Sequence, residues 1–250
     1  MCAVENEISR EDQDRYSARS YQRAIDATKQ GKFNKEIVPI EISSRGKSST
    51  MYQDEEPFAR RVSYDMLKQL PAAFKLPKDC PKEYYQSAHA SSVTAGSSSV
   101  ISDGAAALVL CSRSFAESKG IPVIAVIENW ADAAVVPARF PEAPIVAMTK
   151  VMKKANVTVQ DVDLFEVNEA FSVVPLIASK HLGIDQDKMN IYGGAISIGH
   201  PLGCSGARII CTMISALTQE NKSLGCLGIC NGGGGAGAML IRNAAIQSAL

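Results

Sequence analysis

The stretch Ile191–Gly206, reading Ile-Tyr-Gly-Gly-Ala-Ile-Ser-Ile-Gly-His-Pro-Leu-Gly-Cys-Ser-Gly, constrains this chain more than any other. His200 stands between Gly199 and Pro201, with four further glycines around it. Glycine allows tight turns and close backbone approach, and the proline restricts the φ and ψ of the histidine before it. An imidazole held in a stiff, uncrowded loop is what proton transfer near neutral pH requires. A structural turn that contains a histidine satisfies the same pattern.

A second run lies downstream, Gly228-Ile229-Cys230-Asn231-Gly232-Gly233-Gly234-Gly235-Ala236-Gly237. An apolar segment, Leu224 to Ile229, delivers a cysteine straight into a glycine turn. That geometry exposes a thiol together with bare backbone N–H groups, which suits an acid/base or nucleophile beside an oxyanion site. A phosphate-cradling Walker loop would end in Gly-Lys-Ser/Thr, whereas this run continues Gly-Ala-Gly-Ala-Met, which excludes it. A β-turn with a buried cysteine remains open at this point.

The chain's 250 residues suffice for one large domain or two small ones. With 26 basic and 26 acidic side chains, no bulk field favours nucleic acid or an anionic membrane. The seven cysteines are odd in number and lack paired Cys-x-x-Cys spacing, which predicts reduced thiols rather than a disulfide framework or a zinc site. No run of about 18 apolar residues is present to span a bilayer. Met1-Cys2-Ala3-Val4 shows no signal pattern, and the terminal Gln-Ser-Ala-Leu lacks the basic residue of a peroxisomal tail.

In chain order, Ser9 with Asp12 three residues on predicts a capped helix start, closed by Gly31. Ile37 to Ile42 alternates as a strand, Ser43 to Glu56 reads as surface loop, and Lys75 to Ser91 has no period. Asp103 to Leu110 reads as a helix start leading into an apolar strand, and Val123 to Ile127 as a buried-type strand. Further helices are expected over Phe115–Lys119, Ala143–Ala155, Glu169–Leu182 and Gly206–Leu217, and strands over Asp163–Val167 and Ala236–Ile241. Alternating strand and helix predicts an α/β layered fold. Met148 and Met152 read as core filler, and His89 and His181 sit in no motif.

Asn168-Glu169-Ala170-Phe171, Gly199-His200-Pro201-Leu202-Gly203 and Cys230-Asn231-Gly232-Gly233-Gly234-Gly235 occur in an order that resembles the thiolase family. The stretches Asp132-Ala133-Ala134 and Phe140-Pro141-Glu142-Ala143-Pro144 look most like its mitochondrial acetoacetyl-CoA branch. The resemblance implies an acyltransferase that makes or cleaves a carbon–carbon bond between CoA-borne acyl groups, acetyl-CoA and acetoacetyl-CoA being the substrates. It implies the layered thiolase fold with the carboxy-terminal half complete and the amino-terminal half mostly missing. The corresponding division is a CoA-covering loop domain over 1–101 with an insertion near 75–91, a final helix and strand of the N-terminal domain over 102–121, and a C-terminal domain over 122–250.

By the same resemblance, Cys230 is the acid/base that takes an α-proton, and His200 activates a nucleophilic thiol and stabilises an oxyanion. Asn168 would hold a water in that oxyanion site, and the Gly232 N–H would serve a second one. Tyr21, Arg61, Val62, Ser63 and Ser99 fall where the family contacts CoA. The serine-rich segment 92–102 departs from the family pattern at Ser92, Ser97 and Ser102. A potassium site is implied at Tyr21, Ala95, Gly96, Ser98 and Ile196, carbonyl oxygens suiting such a hard cation. No tightly bound cofactor is implied. None of the other cysteines matches the family's nucleophile, so the chain alone is expected to show no full turnover. The partners implied are CoA thioesters and further subunits, as a homo-oligomer or bound to longer subunits, with neither nucleic acid nor membrane. The compartment implied is mitochondrial, with the cytosol as the alternative. A non-catalytic CoA-binding or subunit-interaction protein is the rival reading. A ketoacyl synthase would need a histidine where Cys230 stands.

Overall fold

The computed structural model describes residues 1–44, 47–52, 62–76 and 80–247. Arg61 lies outside them, as does part of the 75–91 segment. The first long helix, α1 (Arg10–Lys29), begins as the sequence implies: Ser9 Oγ accepts the Asp12 N–H, and the Asp12 carboxylate accepts the Ser9 N–H at 2.9 Å. Strands β1 (Ile40–Ser44) and β2 (Lys47–Tyr52) then form an antiparallel hairpin, so part of the expected surface loop 43–56 is a strand. A short helix, Lys82–Gln86, lies within the segment read as loop.

The principal sheet holds β3 (Ala125–Ala134), β4 (Leu164–Val167), β5 (Leu224–Cys230) and β6 (Gly235–Asn243) in the order β3-β6-β5-β4. β4 and β5 run parallel, while β6 is antiparallel to both neighbours. A parallel pair needs a crossover, supplied here by α3 (Val173–Leu182), α4 (Ala195–Ile198) and α5 (Ser205–Gln219). β5 is nearly continuous apolar sequence because both its faces are covered. A Cβ at Gly228 would meet Met148 Sδ of α2 (Ala143–Lys154) at 2.9 Å, and one at Gly225 would meet Met213 Sδ of α5 at 2.2 Å. Met148 and Met213 therefore fill the core on opposite faces, and Met152 is buried beside Met148 in α2, the two α2 methionines as their pattern suggested.

Three expectations fail for physical reasons. Val123–Ile127 is no buried strand: β3 begins at Ala125 at the end of the sheet, and Val123, Ile124 and Ile127 are exposed. Residues 101–112 form no regular element, and Ile101, Val109 and Leu110 are 99%, 100% and 71% exposed. The apolar run there has the composition of a buried strand but no sheet neighbour among the described residues to pair with. The helix expected from Glu169 starts at Val173, because the stretch before it bonds to neighbouring segments instead, Asn168 N–H to Gly228 O and Ser172 N–H to Ser97 O. No described helix is long and apolar enough to cross a membrane.

Candidate active site at the carboxyl ends of two parallel strands

The site is built where β4 and β5 end side by side. The Asn168 N–H continues the ladder by donating to the Gly228 carbonyl at 3.0 Å, and Cys230 closes β5 two residues beyond that carbonyl. Carboxyl ends of parallel strands in α/β sheets are where ligands characteristically bind. Asn168 is 1% exposed, and its side-chain Nδ2 lies 3.3 Å from His200 Nε2.

His200 is fixed on three sides. Its N–H donates to the Val100 carbonyl at 2.9 Å, and its Nδ1 lies 2.6 Å from Ser205 Oγ. The Ser205 hydroxyl proton is committed to the Pro201 carbonyl at 3.0 Å, so Ser205 Oγ accepts and Nδ1 carries the imidazole proton. Nε2 is then the lone-pair nitrogen, receiving the Asn168 amide. Burial first, and then the Arg208 charge, hold the imidazole below its ordinary pKa, so it rests as a free base. Gly199 makes this bend with φ +97°, and a Cβ there would stand 2.2 Å from Ser102 Oγ.

Cys230 is 8% exposed, and burial pushes its thiol up to about 11, so it rests protonated. The turn after it is organised by Asn231, whose Oδ1 accepts the N–H groups of Gly233 and Gly235 at 3.0 and 3.3 Å. Gly232 is exposed, and a Cβ there would meet nothing within 4 Å. The structure thus joins Asn168 to His200 directly and sets Cys230 and Gly232 on the adjacent strand end. An open cleft of about 390 Å³ adjoins Pro201 and Cys204, but its lining includes neither His200 nor Cys230.

The serine-rich segment zips the Asn168 and His200 stretches together. Ser99 N–H donates to Ala170 O and Ser172 N–H to Ser97 O, while Val100 N–H donates to Ala195 O. Ser99 therefore sits beside the site. Tyr21 is buried in α1, Val62 packs against the main core, and the Ser63 hydroxyl accepts the Met66 N–H as a helix cap. Of the residues expected to hold potassium, Tyr21 belongs to α1, Ala95 and Gly96 to the single turn 95–97, and Ile196 to α4, and α1 packs on both other elements. The Ser98 hydroxyl donates to Thr94 O at 2.7 Å, its oxygen keeping lone pairs beside the carbonyl for a cation.

Sequence reasoning quoted Glu169 within its motif and missed what it does. This buried carboxylate accepts from Tyr16 Oη (2.8 Å), Ser20 Oγ (2.7 Å), Asn190 Nδ2 (3.1 Å) and Ile196 N–H (3.1 Å). Gly194 lets it in, since a Cβ there would lie 2.5 Å from the carboxylate carbon. Tyr16 and Ser20 on the inner side of α1 carried the only signal: polar groups on a face that also carries apolar residues.

Parallel strand ends that bring an imidazole, an amide, a thiol and an open glycine turn together hold the components of proton transfer beside an oxyanion site. Family models agree: the thiolase C-terminal domain matches residues 121–243 and the thiolase N-terminal domain matches residues 1–114. The chain belongs to the thiolase family. The acetyl-CoA acetyltransferase of Candida albicans is 43% identical over 241 residues, which are 96% of this chain and 57% of the relative. Acetyl-CoA acetyltransferase 1 of Arabidopsis thaliana is 43% identical over 242 residues, covering 96% and 55%. The crystal structure of the Bacillus anthracis acetyl-CoA acetyltransferase matches with a TM-score of 0.87 at 36% identity, covering 97% of this chain and 58% of that one. Human mitochondrial 3-ketoacyl-CoA thiolase in complex with CoA matches with a TM-score of 0.85 at 32% identity, covering 97% and 57%. This chain therefore spans somewhat over half the length of these relatives. The N-terminal match over 1–114 corrects the expectation that the amino-terminal half is mostly missing, since both family domains are represented.

Proposed function

We propose that this chain handles the α-proton of a short acyl-CoA thioester, within acyl transfer between acetyl-CoA and acetoacetyl-CoA. The contact that carries this reading is Asn168 Nδ2 to His200 Nε2, next to the strand end that bears Cys230. The Cys230 thiol passes its proton to the basic nitrogen of His200, the thiolate then takes the α-proton, and Asn168 and the Gly232 N–H donate to the enolate or thioester oxygens. Preorganised donors of this kind contribute about 3 kcal/mol each to lowering a barrier. Tyr21, Arg61, Val62, Ser63 and Ser99 are assigned to the CoA side of the site, within a loop domain taken as 1–101, with 102–121 and 122–250 as the divisions that follow.

The test is deuterium exchange. Purified protein with acetyl-CoA in D₂O should load deuterium into the acetyl methyl, read by mass spectrometry, and Cys230→Ser and His200→Asn should each abolish it. Exchange that persists in Cys230→Ser would overturn the assignment. Complete thiolysis needs a second thiol to carry the acyl group, and we expect none from this polypeptide alone. Cleavage of acetoacetyl-CoA with a trapped acyl-cysteine would refute that.

The exposed Ile101, Val109 and Leu110 favour a second reading for the same chain, assembly with further subunits through that segment. Sedimentation across a concentration series tests it, a monomer throughout counting against it. Potassium is assigned to the carbonyls around α1, the 95–97 turn and α4, where it would supply a fixed positive charge. Exchange that is indifferent to sodium in place of potassium removes that assignment. The compartment we assign is the mitochondrion, against a cytosolic alternative that one relative's name, Acetyl-CoA acetyltransferase ERG10, cytosolic, of Gibberella zeae, raises. Imaging of the tagged protein decides between them.

A further inference from the structure

The peptide unit that joins Val167 to Asn168 leads into the amide of the Asn168–His200 pair, and it is held from both sides. On the inner side its N–H, that of Asn168, donates to Gly228 O beside β5 at 3.0 Å. On the outer side no further strand follows β4 among the described residues, since β4 ends the sheet. Met189 and Asn190 come alongside there, and the Asn190 N–H donates to Phe165 O at 2.9 Å, as the start of a parallel ladder would. The backbone then turns away, with Asn190 at φ +50°, a left-handed conformation that asparagine adopts more readily than most residues.

The side chain carries the ladder on in its place. Asn190 Oδ1 accepts the Val167 N–H at 2.8 Å, and Nδ2 donates to Val167 O at 2.8 Å. A carboxamide has the donor and acceptor of a peptide group, so it satisfies two strand-edge groups that would otherwise be buried and unpaired. Asn190 is 2% exposed, so these bonds are made away from water. Nδ2 also reaches Tyr16 Oη at 2.8 Å and Glu169 Oε1 at 3.1 Å. One amide thus grips the carbonyl just before Asn168 and the carboxylate just after it. With both ends of its leading peptide pinned, the Asn168 backbone is fixed, and its side-chain torsions alone remain. The 3.3 Å reach from Asn168 Nδ2 to His200 Nε2 is already at the long end for a hydrogen bond, so a small displacement of that backbone would break it.

We propose that Asn190 is a positioning residue for the Asn168–His200 pair: its carboxamide, standing in for a neighbouring strand, sets the backbone from which Asn168 reaches the imidazole. The proposal rests on the reading above for the role of that pair. Its test observes the pair itself, whether or not the chain exchanges protons.

The experiment is NMR of the protein with isotope-labelled imidazoles, at a pH where the rings are neutral, with His89 and His181 as internal references. The nitrogen shift of His200 Nε2 reports the hydrogen bond it accepts, and Asn168→Ala gives the value without that bond. Asn190→Gly removes the carboxamide and keeps the left-handed backbone, since glycine takes positive φ freely. Its His200 Nε2 resonance should move most of the way to the Asn168→Ala value, with both reference histidines unmoved. Tyr16→Phe takes a hydroxyl from the same buried network and leaves both Asn190 bonds to Val167, so His200 Nε2 should stay at its wild-type position. A folded Asn190→Gly protein with an unmoved His200 resonance overturns the proposal. So does a Tyr16→Phe protein whose resonance moves as far as that of Asn168→Ala, which decides the matter even should Asn190→Gly not fold. An unmoved resonance in Asn168→Ala would instead remove the pair, and with it both the reading above and the proposal.

Discussion

Glu169→Gln tests how the two catalytic stretches are held. The carboxylate takes four hydrogen bonds from three places: α1 twice, Asn190, and the backbone of α4 four residues before His200. Glutamine keeps the volume and one carbonyl oxygen, so Tyr16 and Asn190 retain an acceptor of lower charge. Its amide must then face Ser20 and the Ile196 N–H. Ser20 can turn toward Ser197 Oγ, 3.0 Å away, but a backbone N–H cannot turn. A buried orphan donor costs about 1–3 kcal/mol, and bonds to a charged acceptor are worth about 1.5–3 against about 1 for neutral ones. The sum expected is about 3–5 kcal/mol at neutral pH, or a melting point lower by about 10 °C for a chain of this length. Chemical denaturation monitored by circular dichroism reads it. A loss below about 1 kcal/mol would refute the reasoning, since it would mean that the network is solvated or already broken.

Gly199→Ala forces a side chain onto φ +97° and onto Ser102, and should cost about 1–3 kcal/mol and abolish deuterium exchange. At Gly232 the N–H and the open space can be separated: Gly232→Ala keeps the N–H and meets nothing in the protein, whereas Gly232→Pro removes it. Exchange lost only in the proline variant assigns the donor role, while loss in both, with raised KM in the alanine variant, assigns the glycine to substrate room. Glu36 and Glu166 fold with carboxyls raised to about 7 and about 8 from an ordinary 4.5. Their stability is therefore fully present below about 4.5 and lost as pH climbs through 7 and 8, so denaturation midpoints should fall on the alkaline side and Glu166→Gln should flatten the upper part of that fall.

What the residues revealed beforehand was what local chemistry encodes. The Ser9 cap, the glycine bend at His200 and the strand running into Cys230 each depend on neighbours a few positions away, and each was legible. The Glu169 network joins Tyr16 and Ser20 to a residue about 150 positions on, and no window on the sequence contains both ends. The place of the serine segment was hidden for a related reason: the carbonyls of Ala170 and Ala195, which pair its Ser99 and Val100 N–H groups, are supplied from elsewhere in the chain. The 101–112 segment errs the other way. Its side chains suit a buried strand, and strand formation needs a neighbour that composition cannot provide.

The protonation states make the last step of the argument. His200, its pKa held below the ordinary 6.5, and Cys230, its thiol pushed up to about 11, are both neutral near pH 7, so the unliganded site contains no thiolate and no imidazolium. Burial is the leading cause on both sides: it opposes charge on either group, and it opposes transfer of a proton from thiol to imidazole. A reactive thiolate can then arise only when something else bears negative charge or accepts hydrogen bonds in its place. On the proposed reading, the Gly232 N–H and the Asn168–His200 pair receive that charge from a thioester oxygen. The arrangement therefore stays unreactive toward water and other electrophiles until an acyl-CoA is present, and Cys230 alkylation by iodoacetamide at neutral pH should lag far behind that of the exposed Cys111.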